Sequence, residues 1–129
     1  MHENDIAKQI VDAAYKVHKA TGPGLLESAY QVMLVYELKR RGLHVDVEYP
    51  VPVIYDSVRL DAGFRADIIV EGKVIVELKS VEHVADVHKK QLLTYLKLTH
   101  LRLGLLINFG EELIKDGITR VINGKLEPQ

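Results

Sequence analysis

The chain has 129 residues, 47% of them hydrophobic, enough for one domain with a core and too few for two. Seventeen basic residues against eighteen acidic ones leave a net charge of -1, which excludes a protein that grips nucleic acid by overall charge, so any phosphate contact must be local or metal-assisted. There is no cysteine, which excludes disulfides and thiolate metal sites and suits a reducing compartment. The N-terminus MHENDIAKQI lacks a basic segment followed by an apolar run, and no stretch reaches membrane-spanning length, so a single soluble, cytoplasmic domain over 1–129 with no membrane partner is expected.

In chain order, Asp5 to Lys19 carries Ile6, Ile10, Ala13, Ala14 and Val17 at helical spacing, with Asn4 or Asp5 as cap. The turn Thr21-Gly22-Pro23-Gly24 stops it. A second helix is expected from Leu25 to about Arg41, ended by Gly42, with Leu26, Ala29, Tyr30, Met33 and Leu38 as buried positions and cations in its last turn. Val45 to Tyr49 and Val51 to Tyr55 alternate apolar residues but are interrupted by Pro50 and Pro52, the pattern of an irregular edge strand. Asp56 to Gly63 reads as a turn region with a short strand around Val58 to Leu60. Asp86 to Thr99 is helical, Leu103 to Phe109 is a buried central strand, and Gly117 to Ile122 supplies a last turn and strand. Helices before and after a mixed sheet predict a layered α/β sandwich.

Between these elements lies FRADIIVEGKVIVELKS, Phe64 to Ser80, two apolar strands joined by a tight turn. Side chains alternate along a strand, so Glu77 and Lys79 share one face while Val74, Val76 and Leu78 take the other. Asp67 joins that face only in an even register, the simplest of which sets it opposite Glu77 through a three-residue loop Glu71-Gly72-Lys73 or a bulge; a two-residue turn would part the acids. Opposed carboxylates repel, and a divalent cation would relieve them.

Three features bear on chemistry. Gly24-x-x-Glu27-x-x-Tyr30 puts an acid in the first turn of a helix, where the dipole alone also favours it. Gln91-x-x-x-Tyr95, with His88 one turn earlier, forms a polar row beside the leucines of its helix, equally the seam of a packed helix. Glu77-x-Lys79 alone is an ordinary solvated pair, but its conjunction with Asp67 breaks the apolar pattern of two paired strands, as functional sites do.

Asp67 and Glu77-x-Lys79, with a helical Glu27 before them and Gln91-x-x-x-Tyr95 after, resemble the PD-(D/E)XK nuclease superfamily in its exonuclease-like arrangement. More closely, GPGLLESAY, FRADIIV, VIVELKS, QLLTYLK and LGLLINFG are similar to the GxxExxY protein family, in an order spanning roughly Ile10 to Ile122. Ala66 stands where the superfamily name would put proline. The resemblance implies a restriction-endonuclease-like α/β/α sandwich with a central mixed sheet, and a Mg2+- or Mn2+-dependent phosphodiesterase acting on nucleic acid, DNA ranked before RNA. It implies Asp67, Glu77 and the Leu78 carbonyl as metal ligands with Glu27 completing the shell, Lys79 holding the attacking water, Gln91 orienting water or phosphate, and Tyr95 steadying Lys79 or the backbone. The competing reading is a catalytically silent module that keeps the fold and works by binding within a larger complex. Either form of so small a domain would gain grip by pairing as a homodimer or with a partner protein.

Overall fold

The computed structural model describes residues 1–128, in the element order helix, helix, three strands, helix, strand, 3-10 turn, strand. Helix α1 spans Glu3–Thr21 and buries Ile6, Ile10, Ala13, Ala14 and Val17, the residues its spacing selects. Its cap is neither Asn4 nor Asp5: His2 Nδ1 accepts from the Asn4 N–H at 3.0 Å, so the imidazole supplies the acceptor that a helix start needs and the helix begins earlier than expected. Helix α2 runs Glu27–Arg40 and buries Tyr30, Leu34 and Leu38. Leu26, expected in the core, is 76% exposed because it occupies the extended N-cap position ahead of the helix, where helical spacing does not govern its direction.

The two proline-interrupted runs form one edge strand, β1 (Val45–Tyr55), whose register shifts between Val51 and Val53. The expected turn region Asp56 to Gly63 shrinks to Asp56 and Ser57, since Tyr55 already pairs with Val58 and strand β2 runs Val58–Val70. Strand β3 (Val74–Lys79) pairs antiparallel with β2, and helix α3 (Asp86–Thr99) crosses to β4 (Leu103–Asn108), which lies parallel to β3. A 3-10 turn, Ile114–Gly117, leads into β5 (Ile118–Ile122), antiparallel to β4, so the last strand begins one residue after the expected glycine. The sheet order β1-β2-β3-β4-β5 follows the sequence.

Two cores cover the sheet. On one face α1 and α2 pack on Val74, Val76, Leu78, Leu105 and Ile107; on the other Leu92, Tyr95 and Leu96 of α3 pack on Ile69, Ile75 and Leu106. This is the expected α/β/α sandwich. Phe109, expected inside β4, lies one residue past its end and stacks on Tyr30, ring centroids 4.4 Å apart. A Cβ on Gly104 would come within 2.8 Å of Leu92, so α3 approaches β4 as closely as a bare backbone allows. No helix among the described residues is long and apolar enough to cross a membrane.

Candidate active site

The β2–β3 hairpin closes with rungs Val70–Val74, Ile69–Ile75 and Ile68–Val76 around the loop Glu71-Gly72-Lys73. Continuing that register by one rung puts Asp67 across from Glu77. There the ladder stops and side chains take over its bonds. The Asp67 N–H donates to Glu77 Oε1 at 3.1 Å, and the Leu78 N–H donates to Asp67 Oδ2 at 2.9 Å. The two strands splay at this rim because carboxylates occupy positions that backbone carbonyls hold further down. In a sheet a residue's N–H and C=O face the same neighbour, so the Leu78 carbonyl also opens toward β2.

A break on the next strand faces the same rung. Val45, Ile68 and Val70 pack in the α1/α2 core, whereas Val51 and Ala66 pack in the α3 core. These residues are separated by even numbers along their strands and would share one face of a regular sheet. The pleat reverses at the rung that is missing, Glu48 with Asp67, between the pairs Val47–Ile68 and Tyr49–Ala66. Glu48 has φ +52°, a left-handed backbone inside a strand. The reversal folds the outer part of the β1–β2 ribbon toward α3, bringing Phe64 against Tyr95 with ring centroids 5.3 Å apart.

Burial governs the electrostatics. Glu77 is 6% exposed, and desolvation, followed by the charge of Asp67, pushes its carboxyl up to about 8. Asp67 is also raised, by burial first, against the Leu78 N–H, which favours its charged form; Glu48 adds a further upward push. The two acids also bear on each other: the charge of Asp67 raises Glu77, so the pair resists carrying two negative charges. Tyr95 is raised as well, by its own burial and then by the charges of Glu77 and Asp67, which places it beside the pair.

Lys79 is half-buried next to both acids, and its charge favours their ionised forms. The chain after it is held by Asn108, fully buried on β4. Asn108 Oδ1 accepts from the Val81 and Gly110 N–H groups, both at 3.0 Å, and its Nδ2 donates to the Val81 carbonyl at 2.8 Å. A Cβ on Gly110 would sit 2.2 Å from the Val81 oxygen, so only glycine fits there. Ser80 Oγ donates to the Leu25 carbonyl at 2.6 Å and joins the rim of β3 to the approach of α2.

Glu27 opens α2, exposed, with no hydrogen bond or ion pair to another described residue. Its motif partner Tyr30 is structural: the hydroxyl donates to the Gly22 carbonyl at 2.5 Å and accepts from the Leu25 N–H at 3.2 Å, bracing the turn that delivers Glu27. Gln91 is half-buried one turn before Tyr95 on α3. His88 is committed to the helix start, where its Nδ1 accepts from the Ala85 N–H at 3.3 Å. Glu48 and Asn108 carried no signal in the sequence, being an exposed-looking acid in an alternating strand and a polar residue ending an apolar one.

Among the described residues no three His, Asp or Glu are gathered closely enough to hold a metal ion by themselves. The structure brings together Asp67 and Glu77, and leaves Glu27 outside the pair. A half-buried and a buried carboxylate, both raised by desolvation, are nonetheless a donor set that fits a hard divalent ion, which commonly takes one or two protein carboxylates and fills its remaining positions with water and substrate oxygens.

A mixed sheet between helices, with acids and a lysine at the open end of its central hairpin, defines a restriction-endonuclease-like α/β domain. The chain belongs to the PD-(D/E)XK nuclease superfamily, whose family model matches residues 4–121. No curated protein matches the chain.

Proposed function

We propose that this protein is a Mg2+- or Mn2+-dependent nuclease of the GxxExxY type that hydrolyses phosphodiester bonds, with DNA as first substrate to test. The reading rests on one observation: half-buried Asp67 and buried Glu77, both raised by desolvation and flanked by Lys79, where the hairpin gives up its ladder. Such a pair destabilises a rim unless a cation or a proton offsets its charge.

Asp67 and Glu77 would hold the ion, with the Leu78 carbonyl as a third donor and Glu27 reaching the shell directly or through water. The bound ion supplies charge relief at the phosphate and a water acidic enough to attack near neutral pH. Lys79 Nζ, on the Glu77 face, donates a hydrogen bond to the attacking water or to a non-bridging phosphate oxygen. Tyr95 and Gln91 reach the same space from α3. The Tyr95 hydroxyl, kept protonated by its surroundings, serves as a donor to Lys79's neighbourhood or to phosphate, and Gln91 orients water. Asn108 fixes the backbone from which Lys79 projects.

Calorimetric titration of Mn2+ into the wild type and Asp67→Asn, followed by cleavage assays on labelled single- and double-stranded DNA and RNA, tests the proposal. The expected result is metal binding and cleavage in the wild type and loss of both in the variant. Metal binding without cleavage of any substrate would leave a binding module on a nuclease fold, and no metal binding at all would end the metal-dependent reading.

A further inference from the structure

The roles above leave unused a contact between α2 and the edge strand. Gln31, on α2, donates from Nε2 to Glu48 Oε1 at 3.2 Å. Gln31 lies four residues after Glu27 and so on the same helix face, while Glu48 occupies the β1 position facing Asp67, between the flanking pairs Val47–Ile68 and Tyr49–Ala66.

We infer that Glu48 is a positioning residue: by accepting from Gln31 it ties α2, the helix that carries Glu27, to the Asp67 rung of the sheet. Of the four non-glycine residues with positive φ among the described residues, Asp56 sits in a hairpin turn, Glu71 in a hairpin loop and His100 at a helix C-cap, places where a left-handed backbone is ordinary. Glu48 alone adopts it inside a strand. Glycine or asparagine would take that conformation at lower cost, so a glutamate there is explained by what its side chain does. The start of α2 has no side-chain cap; the approach to it is held by Ser80 on the Leu25 carbonyl and by Tyr30 on the Gly22–Leu25 turn. Tyr30, Leu34 and Leu38 seat α2 in the core, and Gln31–Glu48 adds a tie one turn after Glu27, at the rung where Glu48 also bears electrostatically on Asp67.

The inference rests on the nuclease reading only for what Glu27 does once placed; the tie itself is measurable without metal. Glu48→Gly keeps the left-handed backbone and removes the acceptor, Glu48→Gln keeps an acceptor oxygen and removes the charge, and Gln31→Ala removes the donor without touching the strand. In metal-free protein, amide exchange at Ala29 and Tyr30 should quicken about five-fold or more in Glu48→Gly and Gln31→Ala and stay within about two-fold of wild type in Glu48→Gln. Mn2+ affinity should fall about ten-fold in the first two variants and little in the third, and Glu48→Gly should cost nothing further in a Glu27→Ala background. Equal damage from Glu48→Gln and Glu48→Gly, or full additivity with Glu27→Ala, would overturn the positioning role. A wild type that binds no Mn2+ would sink the nuclease reading, while the exchange comparison would still decide the tie.

Discussion

The two ends of the β2–β3 hairpin share a backbone and differ in what completes it. At the closed end, Ile68, Ile69 and Val70 pair with Val76, Ile75 and Val74 in an unbroken ladder, its side chains buried in the two cores. At the open end, one rung later, the bonds pass through the carboxylates of Asp67 and Glu77. The closed end is built for stability and the open end against it, since buried Glu77 and half-buried Asp67 crowd each other there. Strain confined to one rung is tolerable because the neighbouring rungs and both helical layers over-determine the strand positions.

The sharpest way to break this contrast is Glu77→Gln, which keeps an acceptor for the Asp67 N–H and removes the charge. Hydrolysis should fall about a thousand-fold or more, while the metal-free fold gains stability on the order of 1–3 kcal/mol at pH 8. The sign follows from the raised carboxyl. Between its ordinary 4.5 and about 8 the folded state holds more protons than the unfolded one, so wild-type stability falls as pH rises through that window and levels off above it. Denaturant melts across the window should show that slope in the wild type and a flattened one in Glu77→Gln; an equal slope in both would place the buried charge elsewhere.

At the closed end the outcome reverses. Ile68→Ala removes a fully buried side chain and should cost about 2–5 kcal/mol in denaturant unfolding with Mn2+ affinity unchanged. Asn108→Ala probes the frame between the two ends. It strips Oδ1 from the Val81 and Gly110 N–H groups and should cost about 1–3 kcal/mol, with a loss of turnover out of proportion to substrate affinity because Lys79 loses its fixed base. The smallest effect is expected from Ser80→Ala, about 0.5–1.5 kcal/mol by thermal melt for one bond to the Leu25 carbonyl.

How much of this was legible in the sequence depends on how local each signal is. Asp67, Glu77 and Lys79 sit within one hairpin, where parity and loop length alone decide whether two acids meet, and the Glu71–Lys73 loop gives the even register. The bounds of α3, Asp86–Thr99, follow from periodicity alone. Leu26 misled because a helical pattern continues on paper through a residue that the chain holds in extended form. The Asp56–Gly63 stretch misled because its charges and glycine resemble a loop, while pairing with β1 makes it a strand.

The chain's order of apolar periods determined by itself a sandwich of helices on a mixed sheet and the two registers open to the hairpin, of which the even one joins the acids, because both depend on alternation and turn length over short separations. Only the tertiary structure decided that the pleat reverses at Glu48, that Asn108 clamps Val81, and that Ser80, Tyr30 and Glu48 tie α2 to its surroundings. Val45, Val47, Tyr49 and Val51 alternate without a break, so nothing in the string marks the point where one core hands over to the other. That point is set by packing between residues far apart along the chain.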